Sequence, residues 1–166
     1  MSFLDRFTAK GLIVLAAATS AAILGGAFIF QALGYAPCKM CLWQRWPHAI
    51  AVVLGGAALA TQRRLLSWLG ALNMTVSAGL GIFHSGVERK WWDGPASCSG
   101  GGVGDLSVED LLAQINQAPL VRCDEIPWRM SDMIPLEFLD LTMANFNAII
   151  SLGLIVLWVC AARKTG

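Results

Sequence analysis

Two cysteines three positions apart, in Cys38-Lys39-Met40-Cys41, are the pattern in this chain with the most chemistry in it. C-x-x-C spacing at a helix start can close a disulfide or hold two thiols on one turn, and a helix N-terminus lowers thiol pKa values. Arg45 lies four residues after Cys41 and so shares its helical face. A guanidinium there favours a Cys41 thiolate and can also hold a polar oxygen of a bound ligand. Pro37 suits the first helical position, while Pro47 would kink or interrupt the same helix. The alternatives to a reactive pair are a structural disulfide or half of a metal site.

Cys98 and Cys123 form a second pair. A bridge between them would stabilise the folded chain by roughly 3–4 kcal/mol through lost loop entropy. That is a staple; the other reading is a redox arm, because the run Gly100-Gly101-Gly102-Val103-Gly104 beside Cys98 holds little rigid. His84 falls at about the depth of Arg45 and Cys41, as a ligand-binding residue or a satisfied interfacial one. His48 follows Cys41 by seven positions and can share its face. Glu88, Arg89 and Lys90 read as a solvated boundary cluster, and Cys160 as a small buried hydrophobe. Cys38, Cys41 and a histidine would give zinc or copper three ligands. No second C-x-x-C or H-x-x-H accompanies them, and that reading leaves Cys98 and Cys123 unexplained.

The elements that must position these residues are membrane spans. Of 166 residues, 56% are hydrophobic and 14% charged, with a mean hydropathy of +0.60, well outside the range of ordinary soluble domains. Stretches free of Asp, Glu, Lys and Arg run from Gly11 to Leu33, Trp46 to Gln62, Leu65 to Val87 and Leu141 to Ala162. A crossing helix needs about 20 apolar residues. The second stretch is short, but its first turn can take in Leu42, Trp43 and a snorkelling Arg45. The expectation is an all-α membrane protein, a four-transmembrane-helix bundle forming one domain over residues 1–166. Its spans fall at about 11–33, 43–62, 65–87 and 141–162, its outer loops at about 34–42 and 88–140. The first stretch is too long for the apolar core of a cleaved leader and is read as a span. No Lys/Arg cluster tracks a phosphate backbone, which sets nucleic acid aside.

Charge orients the spans. Arg6 and Lys10, then Arg63 and Arg64, then Arg163 and Lys164 fall on one side of a four-helix chain, and the positive-inside rule makes that side cytoplasmic. Both termini are then inside, and every acidic residue except Asp5 lies between Glu88 and Asp140 on the outside. Four of the five cysteines face that compartment, where disulfides persist.

Small residues four apart, at Ala18, Ala22 and Gly26 and at Ala51 and Gly55, let helix backbones approach closely. Asn73, Thr75, Ser77, Asn145 and Asn147 are expected to bond between helices. In the long loop Trp91 and Trp92 anchor the third span. Ser107-Val108-Glu109-Asp110 opens a short amphipathic helix with Val108, Leu111, Leu112 and Ile115 on its apolar face. The segment from Met130 to Leu141 is expected to lie on the membrane surface.

Taken together, the chain resembles the disulfide bond formation protein B (DsbB) family. The resemblance is carried by Cys38-Lys39-Met40-Cys41-Leu42-Trp43-Gln44-Arg45, by His84-Ser85-Gly86-Val87-Glu88 through Trp91 to Cys98, and by Cys123-Asp124-Glu125-Ile126-Pro127-Trp128. It implies a quinone-dependent thiol oxidase of the bacterial inner membrane. Cys98 and Cys123 would exchange with a periplasmic thioredoxin-fold thiol oxidase of the DsbA type, Cys98 forming the mixed disulfide. Cys123 would then pair with Cys38, freeing Cys41 as a thiolate against ubiquinone or menaquinone. Arg45 and His84 would be the quinone-binding residues. The vitamin K epoxide reductase-like group places its quinone-facing C-x-x-C after the loop cysteines, whereas here it comes before them. The competing readings are a membrane metal-handling protein using Cys38 and Cys41, and a structural four-helix membrane protein with static disulfides.

Overall fold

The computed structural model of the chain describes residues 6–95, 98, 121–132 and 140–165. Within them lie four long helices and no strand: α1 (Ala9–Ala32), α2 (Lys39–Thr61), α3 (Arg64–Glu88) and α4 (Met143–Lys164), with a short 3-10 turn at Met130–Asp132. The amphipathic helix expected at 107–115 and most of the surface segment before α4 lie outside the described residues. Each helix packs on two others, α1 on α2 and α4, and α3 on α2 and α4, which closes a ring. The contact between α3 and α4 is the most extensive.

Local chemistry sets the helix ends. Thr8 caps α1, accepting from the Gly11 N–H at 3.1 Å. Thr142 and Asn145 form a reciprocal capping box on α4. Cys38 caps α2 with its sulfur, so Pro37 stands one residue outside the cap rather than at the first helical position. Pro47 does not interrupt α2, which runs through it. The carbonyl of Pro47 accepts instead from Asn73 Nδ2 of α3, at 2.7 Å.

Two glycines let the helices close. Trp158 of α4 is fully buried among Leu12, Ile13, Ala51, Ala58, Ala71 and Met74. A β-carbon on Gly70 would overlap its indole, and one on Gly55 would come within 2.5 Å of the Ala17 β-carbon.

The expected interhelical bonds form for Asn73, Ser77, Asn145 and Asn147. Thr75 instead bonds the Ala71 carbonyl of its own helix at 3.0 Å, the local option open to any helical threonine.

The outside of the ring is as apolar as the inside. Val14, Leu15, Phe28, Ile29, Val53, Leu65, Leu72, Val76, Ile82, Ile149 and Val156 are all exposed. Water would not tolerate such a continuous surface. Three helices, α1, α3 and α4, are long and apolar enough to cross a membrane, and this is a membrane protein. The fourth, α2, has the length, at 23 residues, but Gln44, Arg45 and His48 crowd its first turns.

Candidate functional site

The N-terminal turn of α2 brings the first two cysteines together as free thiols, Sγ to Sγ at 2.7 Å. The Cys41 N–H donates to Cys38 Sγ at 3.1 Å, completing the cap. From α3, His84 sets Nε2 at 3.5 Å from the same sulfur. Cys38 Sγ is thus approached by the Cys41 thiol, by a helix-terminal N–H and by an imidazole. Their donation, Cys41 foremost and His84 next, outweighs burial and pulls the Cys38 thiol down to about 5.

Cys98 and Cys123 are joined by a disulfide, and the Cys123 N–H donates to the Cys98 carbonyl at 3.3 Å. Both are buried and packed with Cys38, Met40 and Val87 in one cluster, with Cys41 at its edge. The structure thus gathers both cysteine pairs in one place, and Cys41 at the edge of that cluster also lines a cavity.

That cavity has a volume of about 440 Å³ and lies between α1, α2 and α4. Its walls are apolar, with Ala22, Ile23, Gly26, Phe30, Phe146 and Ile150 among them. Cys41, Gln44, Arg45, His48, His84 and Asn147 are among the polar residues that line it. Trp128, five residues beyond Cys123, leans on both walls, with ring centres 5.8 Å from Phe30 and 6.2 Å from Phe146. The strand-like pairing of Arg129 with Thr142 fastens this segment to the start of α4.

Arg45 is held by α1. Its Nη1 donates to Gln31 Oε1 at 2.7 Å, its Nη2 to the Ala27 carbonyl at 3.4 Å, and its guanidinium covers the Phe28 ring. It shares the cavity wall with Cys41, but its hydrogen bonds run to α1. His84 lines the cavity and also reaches Cys38. His48 is buried, with Nε2 at 2.8 Å from Asn147 Oδ1, in a chain that continues through Ser77 to Ser151.

Three residues that sequence reasoning passed over complete the surroundings. Gln44 puts Nε2 at 2.7 Å from His84 Nδ1. Glu88, expected in a solvated cluster, is only 9% exposed, with Oε1 at 3.9 Å from His84 Nε2. Its Oε2 accepts from the Thr142 hydroxyl at 2.6 Å. The i, i+4 spacing of His84 and Glu88 was a legible signal; that α4 would bury the pair was not. Cys38, Cys41 and His84 also present three donor atoms within 4.8 Å of one another, the start of a soft-metal site. Cys160, at the other end of α4, is a half-buried free thiol.

The profile of the family described as disulfide bond formation protein DsbB matches residues 9–161, nearly the whole chain. The chain belongs to the DsbB family. It is 28% identical to Disulfide bond formation protein B of Psychrobacter sp. (strain PRwf-1), over 99% of both chains. It is 26% identical to the protein of that name from Albidiferax ferrireducens, over 84% of this chain and 81% of the relative. With that from Polaromonas sp. the identity is 25%, over 99% of both. No solved structure gives a match. This DsbB-family chain is thus a membrane oxidoreductase of disulfide bond formation.

Proposed function

We propose that the chain oxidises a periplasmic thioredoxin-fold dithiol oxidase of the DsbA type and passes the electrons to a membrane quinone, ubiquinone or menaquinone. One observation carries the reading. Cys41, a free thiol, stands on the wall of an apolar cavity and at the edge of the buried cluster that holds Cys38 and the Cys98–Cys123 disulfide. The cavity suits a flat apolar ring with polar oxygens, since its walls are apolar and Arg45, Gln44 and His84 are among the residues that line it. A bound quinone takes up two electrons and two protons and leaves as the quinol.

The residues divide the work. A partner thiolate attacks Cys98, and Cys123 leaves as a thiolate; Cys123 then attacks Cys38 of a Cys38–Cys41 disulfide and releases Cys41. When the partner's second thiol resolves its bond to Cys98, and Cys98 in turn recloses on Cys123, Cys38 is freed. Two electrons then rest on Cys38 and Cys41, the arrangement described above. Arg45 contributes positive charge where negative charge develops beside Cys41.

All four helices cross the membrane in this reading, α2 from about residue 43, as one domain over residues 1–166. The protein sits in the bacterial inner membrane with both termini cytoplasmic, the side that carries Arg63, Arg64, Arg163 and Lys164.

Cys41→Ser is expected to abolish quinone reduction by a reduced thioredoxin-fold partner. Cys98→Ser should lose partner oxidation yet keep bound quinone. Unchanged quinone turnover in the Cys41→Ser protein rejects the proposal. The cluster of Cys38, Cys41 and His84 favours a second reading, a metal-handling protein. Stoichiometric metal in purified protein, lost in Cys38→Ser, would support it.

A further inference from the structure

The wall of the cavity includes a residue with a polar atom that nothing in the protein satisfies. Among the described residues four buried side-chain atoms lack a hydrogen-bond partner, on Ser20, His48, Ser67 and Trp158. Of these residues His48 alone lines the cavity, and its orphan is Nδ1. The hydrogen on its ring can be placed. Asn147 sets Nδ2 at 3.2 Å from the Ser77 carbonyl, which only accepts, so the amide oxygen is the atom turned to His48. That oxygen lies 2.8 Å from His48 Nε2, which therefore carries the hydrogen. No carboxylate pairs with the buried ring among the described residues, so the ring is neutral and Nδ1 is a bare acceptor. The side chain is 1% exposed, so a donor for Nδ1 has to come from the cavity and not from bulk water.

We propose that His48 makes the cavity prefer the reduced ring: Nδ1 accepts from a quinol hydroxyl, a contact that a quinone, whose oxygens only accept, does not make. The inference deepens the quinone reading and rests on it. His48 lies four residues beyond Gln44 and three beyond Arg45, about one turn farther along α2. The two oxygens of a para-quinone ring stand about one helical pitch apart, so one can meet Arg45 while the other meets His48. The Cys38–Cys41 dithiol gives the ring two electrons and two protons and closes to a disulfide, and both ring oxygens become hydroxyls. His48 thus gains its missing donor only once the electrons have arrived. A wall that binds quinol more tightly than quinone shifts the bound pair toward quinol, which draws electrons from the thiols. Asn147 is the positioning residue that keeps the hydrogen on Nε2, and Ser77 and Ser151 brace it from α3 and α4.

The test compares binding of a ubiquinone bearing a single isoprene unit with binding of its quinol, by anaerobic equilibrium dialysis of the Cys41→Ser protein in detergent. That background lacks the thiol facing the ring, so each form stays as added. Two substitutions separate the nitrogens of His48. His48→Gln can keep the bond to Asn147 but has no acceptor where Nδ1 stood. His48→Asn places its amide oxygen near the Nδ1 position and gives up Asn147. In the Cys41→Ser background His48→Gln is expected to weaken quinol binding about tenfold, the worth of one hydrogen bond, and quinone binding less than about twofold. His48→Asn should keep the preference for quinol. Equal weakening of both forms by His48→Gln overturns the proposal, as does a preference kept in His48→Gln and lost in His48→Asn. Either result strikes this inference alone. A Cys41→Ser protein that binds neither form overturns the quinone reading together with it.

Discussion

Cys38, Cys41 and Arg45 were legible as a group because their relations are local: two sulfurs on one turn, an arginine one turn on. Gln44, Glu88 and Thr142 were not, because each matters only through the register of α2 against α3 and of α3 against α4. No spacing within one helix reveals that Gln44 meets His84, 40 positions on. The sulfurs also held a difference that a C-x-x-C pattern cannot show. With Cys38 drawn down to about 5, chiefly by Cys41 and then His84, its thiolate predominates above that pH and is lost below it. An unperturbed cysteine, at about 8.5, would already be mostly protonated at neutral pH. Alkylation of Cys38 should therefore stay fast down to about pH 5.5 and collapse below pH 5, whereas Cys38 in a denatured chain should slow below pH 8.

Among the elements, the long helices and their order followed from uncharged runs, and the ends of α1, α3 and α4 fall within a few residues of the ends of those runs. The first turns of α2 were harder to read. Pro37 was expected at the first helical position, where Cys38 instead caps the helix, and Pro47 was expected to break it, where an asparagine from α3 takes up the proline's carbonyl. Thr142 does two things at once, capping α4 and holding Glu88 behind His84. Thr142→Ala should cost about 1 kcal/mol through the cap, visible as a lower midpoint of thermal unfolding in detergent, whereas Thr142→Ser should restore it. Gly70→Ala tests the α3–α4 seam. Its added methyl meets the Trp158 indole, and the overpacking should cost about 1–3 kcal/mol. The same change at Gly79, where a β-carbon meets nothing within 4 Å, should be close to neutral. Trp128 bridges Phe30 and Phe146 at the cavity wall. Trp128→Ala should weaken retention of quinone through purification, measured by extraction, while leaving the Cys98–Cys123 disulfide intact.

The whole molecule is organised by where polarity is allowed. The apolar outside, the internal Ser77–Asn147–Ser151 network and the charges at the helix ends together fit a body immersed in lipid. Composition had already given that much. What it could not give is the cavity, because enclosed space arises from how helices lean and not from which residues they carry. The proposed orientation predicts that an amine reagent unable to cross membranes labels Lys90 in intact periplasm-exposed cells, and labels Lys164 only after the membrane is opened.

Cys98 and Cys123 are buried in the cluster that holds Cys38, whereas Cys41 lines the cavity. On the proposed reading, electrons that enter at the bridge leave from the far sulfur of a pair set one helical turn apart. A dissolved thiol would find little of the bridge to attack, since Cys98 and Cys123 are 2% and 1% exposed. Burial of that kind would leave the traffic to proteins that dock rather than to small reductants.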